Sequence, residues 1–277
     1  MTAQIPIEDN FEDIIAKSMR GGHVSESELA VKTGVAPDVL RRLCRGEFCD
    51  EPALLKVAGV LGLDPEALTM AASRVWRPKP VELEGLAVFN TPYRDMRVNA
   101  FLVHDPASKE AAAFDTGTDS SLLTKHAAES GLRIEKIFLT HTHNDHIADL
   151  DRLKEACEPV RVFSNAAEPW PGTETFSEGD EFSIGSLSVK TFTTSGHSPG
   201  GTTYFIEGLA RPVAIVGDAL FAGSMGGGMV SFSDARKNNR EKILTLPDDT
   251  VVCPGHGPTS SIGEEKRNNP FFAGEFK

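Results

Sequence analysis

Cysteine is scarce in this chain. Four occur in 277 residues, at Cys44, Cys49, Cys157 and Cys253, and no two form a Cys-x-x-Cys pair. This argues against a disulfide framework and for free thiols in a reducing compartment. Long apolar runs are also missing: none approaches the roughly 20 residues of a membrane span, so no membrane association is expected. The opening residues, MTAQIPIEDNFEDII, lack the basic and apolar regions of a secretion signal, and the expected location is cytoplasmic. Positive charge is in short supply, with 28 Lys and Arg against 40 Asp and Glu, a net charge of −12. Residues 1–78 hold nine basic and twelve acidic side chains, so the deficit runs through both parts of the chain. Binding to a phosphate backbone depends on clustered positive charge. Neither part supplies it.

What is present falls into two patterns. Residues 1–78 read as short helices. Ser25-Glu-Ser-Glu28 fits a capping box ahead of Leu29, Gly34 marks a helix end, and Asp64-Pro65 reads as N-cap and first helical position. "RPKP" then reads as a linker. From residue 79 to 277 short strands alternate with turns: "LAVFN", "NAFLVHD", "AAAFDTG", "IEKIFLTH", "RVFSN", "SLSVKTFTT", "GTTYFIE" and "PVAIVGD". Helices are expected over 120–130, 148–156 and around 240–246. This is an α/β arrangement with a small all-α region in front of it.

The densest chemistry lies in "FLTHTHNDHIADL", where His141, His143, Asp145 and His146 fall within six positions. His141 and His143 leave a strand end on the same side, and Asp145 and His146 open a helix. At this chain's own composition such a cluster arises by chance in roughly fewer than one shuffled sequence in a thousand, so a surface accident is set aside. Three further candidates follow apolar strands and sit beside glycine: His197 in "TSGHSPGG", Asp218 in "IVGDALF" and His256 in "VVCPGHGP". Imidazoles with carboxylates suit zinc, iron or manganese. Seven donors exceed one tetrahedral shell. His23, His104 and His126 have no such setting.

In this order the motifs resemble the metallo-β-lactamase-fold hydrolases over roughly residues 79–277, and the tail "LPDDTVVCPGHGPTSSIGEEKRNNPFF" is similar to their glyoxalase II-like, or hydroxyacylglutathione hydrolase-like, branch. The resemblance implies an αββα sandwich with two divalent metal ions at one edge, zinc first with iron or manganese as alternatives. It implies one ion on His141, His143 and His197, the other on Asp145, His146 and His256, and Asp218 between them. A hydroxide bridging the pair would be the nucleophile, with Asp145 and Asp218 the carboxylates of the catalytic centre. The expected substrate is a small molecule carrying a thioester, because a thiolate with a parent pKa near 8.5 leaves without a proton donor. A glutathione thioester is one option. Against it, the loop "LFAGSMGGGMVSF" has no Lys or Arg where glyoxalase II relatives often carry a basic residue, and Lys266 and Arg267 read as a solvated charge run.

Two alternatives stand beside this reading. His143, His197 and Asp218 would also make the 2-His-1-carboxylate triad of a mononuclear iron enzyme, as in persulfide dioxygenases of the same fold. The third candidate is a DNA-binding regulator with a metal-binding sensor domain, since "SESELAVKTGVAPDVLRRLCRGEF…ALLKVAGVLGLDPEAL" resembles the Cro/repressor-type helix-turn-helix family. Its second helix would be Glu26–Thr33 and its recognition helix about Pro37–Arg45. That helix opens with Ala36, Pro37 and Asp38, which offer bases nothing but a repelled carboxylate. Nucleic acid is therefore not expected as a partner. An interaction role is, and a homodimer through this region is one form it could take.

Overall fold

The computed structural model describes residues 5–276. Five helices come first: α1 (Phe11–Gly21), α2 (Glu26–Thr33), α3 (Pro37–Cys44), α4 (Glu51–Leu61) and α5 (Pro65–Ser73). Local signals set their ends as expected. Ser25 and Glu28 each bond the other's backbone N–H. Gly34 closes α2 at φ 65°, a left-handed position open to glycine. Asp64 caps α5 through the Ala67 N–H. The sequence reading gave α1 no boundaries. It buries Phe11, Ile14, Ile15 and Ser18, a helical spacing.

Then follow β1 (Leu86–Tyr93), β2 (Met96–His104), β3 (Glu110–Phe114), α6 (Ser121–Glu129), β4 (Arg133–Phe138), α7 (Asn144–Ile147), α8 (Leu150–Ala156), β5 (Arg161–Asn165) and β6 (Glu174–Phe176). The second half contains β7 (Glu181–Ile184), β8 (Leu187–Thr193), β9 (Thr202–Glu207), β10 (Val213–Gly217), α9 (Phe232–Asn238), β11 (Val251–Pro254), β12 (Ser260–Ser261) and α10 (Ile262–Asn268). One sheet has the order β1-β2-β3-β4-β5-β6, the other β12-β11-β10-β9-β8-β7. The helix expected around 240–246 begins earlier, at Phe232. Ser231 caps it through Asp234, and the chain continues as a π turn over Asn239–Ile243.

Alternation along the strands explains the layers. On β2, Phe101 and Val103 point between the sheets, where they meet Phe138 of β4, Ile206 of β9 and Ile215 of β10. Ala100 and Leu102 point the other way, toward Leu123 of α6 and Leu153 of α8. On the far side, Phe205, Ala214, Val216 and Val252 of the second sheet share one core with Leu220, Phe271 and Phe272. Ile14, Leu40, Leu54, Val57 and Leu68 of the N-terminal helices belong to that same core. The molecule is thus an αββα sandwich with the N-terminal helices packed over one outer face. Among the described residues no helix is long and apolar enough to cross a membrane.

Glu265 of α10 ties this layer to the loop after β10. Fully buried, it accepts hydrogen bonds from the Gly223 N–H at 3.0 Å and from Asn269 Nδ2 at 2.8 Å. Burial pushes its carboxyl up to about 7. A carboxyl raised on folding favours the folded state at low pH and withdraws that support as pH climbs through its folded value. The expected result is that the parent protein loses thermal stability relative to Glu265→Gln between about pH 5 and 8. Melting curves across that range check it; a constant offset between the two proteins would contradict it.

Candidate metal centre

All seven candidates lie in segments that follow the C-terminal ends of β4, β8, β10 and β11. His141 and His143 follow β4, and Asp145 and His146 lie in α7. His197 follows β8, Asp218 directly follows β10, and His256 follows β11. Their donor atoms turn toward one another. His143 Nδ1 lies 3.0 Å from both His141 Nε2 and His197 Nε2. His256 Nε2 lies 3.2 Å from Asp145 Oδ2, and His146 Nε2 lies 3.6 Å from the same oxygen. Asp218 stands between these groups: Oδ1 is 3.4 Å from His146 Nε2, while Oδ2 is 3.3 Å from His197 Nε2 and 3.4 Å from His256 Nε2. His141, His143 and His197 form one compact set, Asp145, His146 and His256 another, and His141, His146 and Asp218 link them.

The opposite nitrogen of most rings is anchored, which fixes where the free one points. His197 Nδ1 donates to the Gly227 carbonyl at 3.0 Å, and His256 Nδ1 to the Arg97 carbonyl at 2.6 Å. His146 Nδ1 meets Asp115 Oδ2 at 2.8 Å. Asp115 also accepts from the Thr140 N–H and hydroxyl, both at 2.7 Å, and it holds this place at φ 56°, an uncommon conformation for a residue with a side chain. Glu168 links two ligand loops by accepting from the Thr142 N–H and the Gly200 N–H, each at 2.8 Å. Sequence reasoning missed both carboxylates. Asp115 left a trace, since it ends the apolar run of "AAAFDTG"; Glu168 in "NAAEPW" left none. Asp115→Ala should lower metal affinity by about 10- to 100-fold, the usual cost of losing a residue that orients a ligand. Competition with a chromophoric chelator measures it, and unchanged affinity would exclude Asp115 from that role.

The electrostatics are those of a crowded donor cluster. Burial, reinforced by His146, pushes the His141 imidazole well below its ordinary value, and burial lowers His197 as well. Burial acts the same way on His146 and His256, but Asp218 and its neighbours outweigh it and raise them to about 10 and about 11. Burial would lift Asp218, yet His256 and His146 hold its carboxyl well below the usual range. Desolvation likewise opposes ionisation of Asp145, and the bond from His256 with the nearby His146 brings it below its ordinary value.

The residues fit a pair of cations. His146 Nε2 and Asp218 Oδ1 are buried, face each other and have no hydrogen-bond partner; leaving such groups unsatisfied is costly. A Cβ on Gly255 would stand 2.1 Å from Asp218 Oδ1, so only glycine lets the backbone pass so close to the carboxylate. Lys266 lies elsewhere and is committed to Asp248 at 2.6 Å. Gly196-His197-Ser198-Pro199-Gly200 also has the spacing of a serine-hydrolase elbow, but it joins β8 to β9 and not a strand to a helix, and Ser198 is buried. It supplies no exposed nucleophile.

Residues 93–256 match the Metallo-beta-lactamase superfamily. "Probable metallo-hydrolase YqgX" of Bacillus subtilis is 32% identical over 210 residues, which span 66% of this chain and 96% of that protein. A hydroxyacylglutathione hydrolase of Brucella ovis is 33% identical over 175 residues, 62% of this chain and 64% of the relative. Among solved structures, ETHE1 from Myxococcus xanthus superposes with a TM-score of 0.60 at 27% identity, covering 69% of this chain and 88% of that one.

Proposed function

Because the chain belongs to the metallo-beta-lactamase superfamily, we propose that it is a metal-dependent hydrolase of thioesters. His141, His143, Asp145, His146, His197, Asp218 and His256 would hold its two divalent ions. The observation that carries this reading is the placement of Asp218, with one oxygen toward His146 and the other toward His197 and His256. A carboxylate so placed suits a bridge between two cations. When bound, the pair supplies Lewis acidity toward a carbonyl oxygen and brings the pKa of water to about 7.

The chain's own groups bear on which bond is cut. Asp145 and Asp218 are both held below the ordinary carboxylate range, and, as ligands, neither they nor His146 and His256 would be free to give a proton to a leaving group. An amine leaving group needs such a donor, whereas a thiolate does not. This favours thioesters over β-lactams. Anchoring of His197 by Gly227, of His256 by Arg97 and of His146 by Asp115 keeps the donor set in place before substrate arrives.

A second reading rests on the closeness of His143, His197 and Asp218, which would suit one ferrous ion and a persulfide dioxygenase. A panel of uncharged and glutathione-based thioesters, two β-lactams and a persulfide with an oxygen electrode separates the readings. The expected result is thioester hydrolysis exceeding β-lactam turnover. Oxygen uptake with a persulfide and inert thioesters would establish the dioxygenase, and rapid β-lactam turnover alone would overturn both.

A further inference from the structure

The segment just before α1 passes over the His256 side of the cluster. A Cβ on Gly257 would lie 3.2 Å from Glu8 N and 3.4 Å from Glu8 Cβ, so the strap runs close enough to the residue after His256 to leave little room for a side chain there. It is firmly pinned. Asp9 accepts from the Ser224 hydroxyl at 2.6 Å and is ion-paired with Lys17. Lys17 also donates to the Met225 carbonyl at 2.8 Å and lies over the Phe221 ring, which stands edge-on to His256. The strap, α1 and the loop after Asp218 therefore form one wall of the centre. Glu8 is half-buried there, close enough to interact electrostatically with His256 and Asp218.

The wall carries two carboxylates, Glu8 and Asp9, against one ammonium, Lys17. The loop of residues 220–232 contributes no cation of its own. The ammonium reaching it from α1 is already committed to Asp9 and a carbonyl. Beside His256, which its carbonyl anchors, Arg97 directs its guanidinium to Asn90, donating to the Asn90 backbone oxygen at 2.6 Å. Exposed apolar side chains stand at two points beside the anchoring carbonyls. Met229 and Val230 follow the Gly227 carbonyl that anchors His197, and Met96 precedes the Arg97 carbonyl that anchors His256; they are 76%, 58% and 39% exposed.

We propose that Glu8 sets the charge of the substrate at this site, admitting an uncharged thioester with an apolar acyl group and turning away one that carries carboxylates. The inference rests on the hydrolase reading above and narrows it to a substrate class. Repulsion between Glu8 and a substrate carboxylate acts in a partly desolvated wall, where screening by salt is weak. Selection of this kind works by adding a repulsive element against the wrong ligand.

The test uses the full-length, metal-loaded protein and two pairs of probes that differ only in the thiol part. S-hexylglutathione and S-hexyl-N-acetylcysteamine report binding by calorimetry, without turnover. The matching S-hexanoyl thioesters report hydrolysis. The parent protein should bind the uncharged thioether at least about tenfold more tightly, and its preference among the thioesters should lie in KM. Glu8→Gln should narrow the gap to about threefold or less by improving the anionic ligand alone, Glu8→Lys should narrow it further, and Glu8→Asp should restore it. Equal binding of the two thioethers by the parent, binding of neither, or a gap unchanged in Glu8→Gln would overturn the proposal. Failure of the hydrolase reading looks different: both thioesters inert while the binding gap persists and still responds to Glu8.

Discussion

Asp218→Ala should reduce thioester hydrolysis by at least about a hundredfold and cut the bound metal below two equivalents, since both ions lose a shared ligand. The expectation follows from the position of Asp218, which has His146 on one oxygen and His197 and His256 on the other. In the metal-free protein the same carboxylate holds His146 and His256 protonated, at about 10 and about 11. Its removal should therefore let both imidazoles titrate at lower pH, an effect visible by NMR in a variant that circular dichroism and thermal melting show to be folded like the parent. Rates and metal content measured on one preparation check the first claim. Parent-level hydrolysis with full metal content would remove Asp218 from the centre.

Removing residues 1–78 should leave a fragment that aggregates. The N-terminal helices place Ile14, Leu40, Leu54, Val57 and Leu68 in the core that covers Val216, Leu220, Phe271 and Phe272. Backbone bonds cross the same boundary, including the Asp64 N–H to the Pro270 carbonyl at 2.7 Å. Uncovering buried Leu and Phe side chains costs about 1.5–3 kcal/mol each, and several together exceed the 5–15 kcal/mol of stability typical of a domain. We therefore take the helices to be a structural layer and a wall of the site, with Arg41, Arg42 and Arg45 exposed at the end of α3. Expression of a fragment beginning at residue 79, followed by gel filtration, tests this. A monodisperse fragment that keeps two metals would show a separable module.

The donor cluster was legible because its signal is local. His141, His143, Asp145 and His146 crowd into six positions after one apolar strand, and His197, Asp218 and His256 each follow an apolar stretch beside glycine, a grammar that survives in one dimension. Partners that act across long sequence distances were not. Asp115 meets His146 31 residues away, and the Arg97 carbonyl meets His256 159 residues away; nothing in either short stretch announces the other. Strands such as β10 are buried on both faces, so they read as continuous apolar runs that hide which layer covers the outer face. For that reason the sequence alone does not reveal that Val216 and Val252 share a core with Leu54 and Leu68. The same blindness concealed Glu8, whose place beside His256 depends on how the strap folds back.

The most direct measurement is hydrolysis of an uncharged thioester by chelator-stripped protein as zinc, iron or manganese is returned in steps. The account predicts activity that rises and saturates at two equivalents per chain, together with loss of the response in Asp218→Ala. Saturation at one equivalent of iron, with oxygen consumed and the thioester intact, would contradict it.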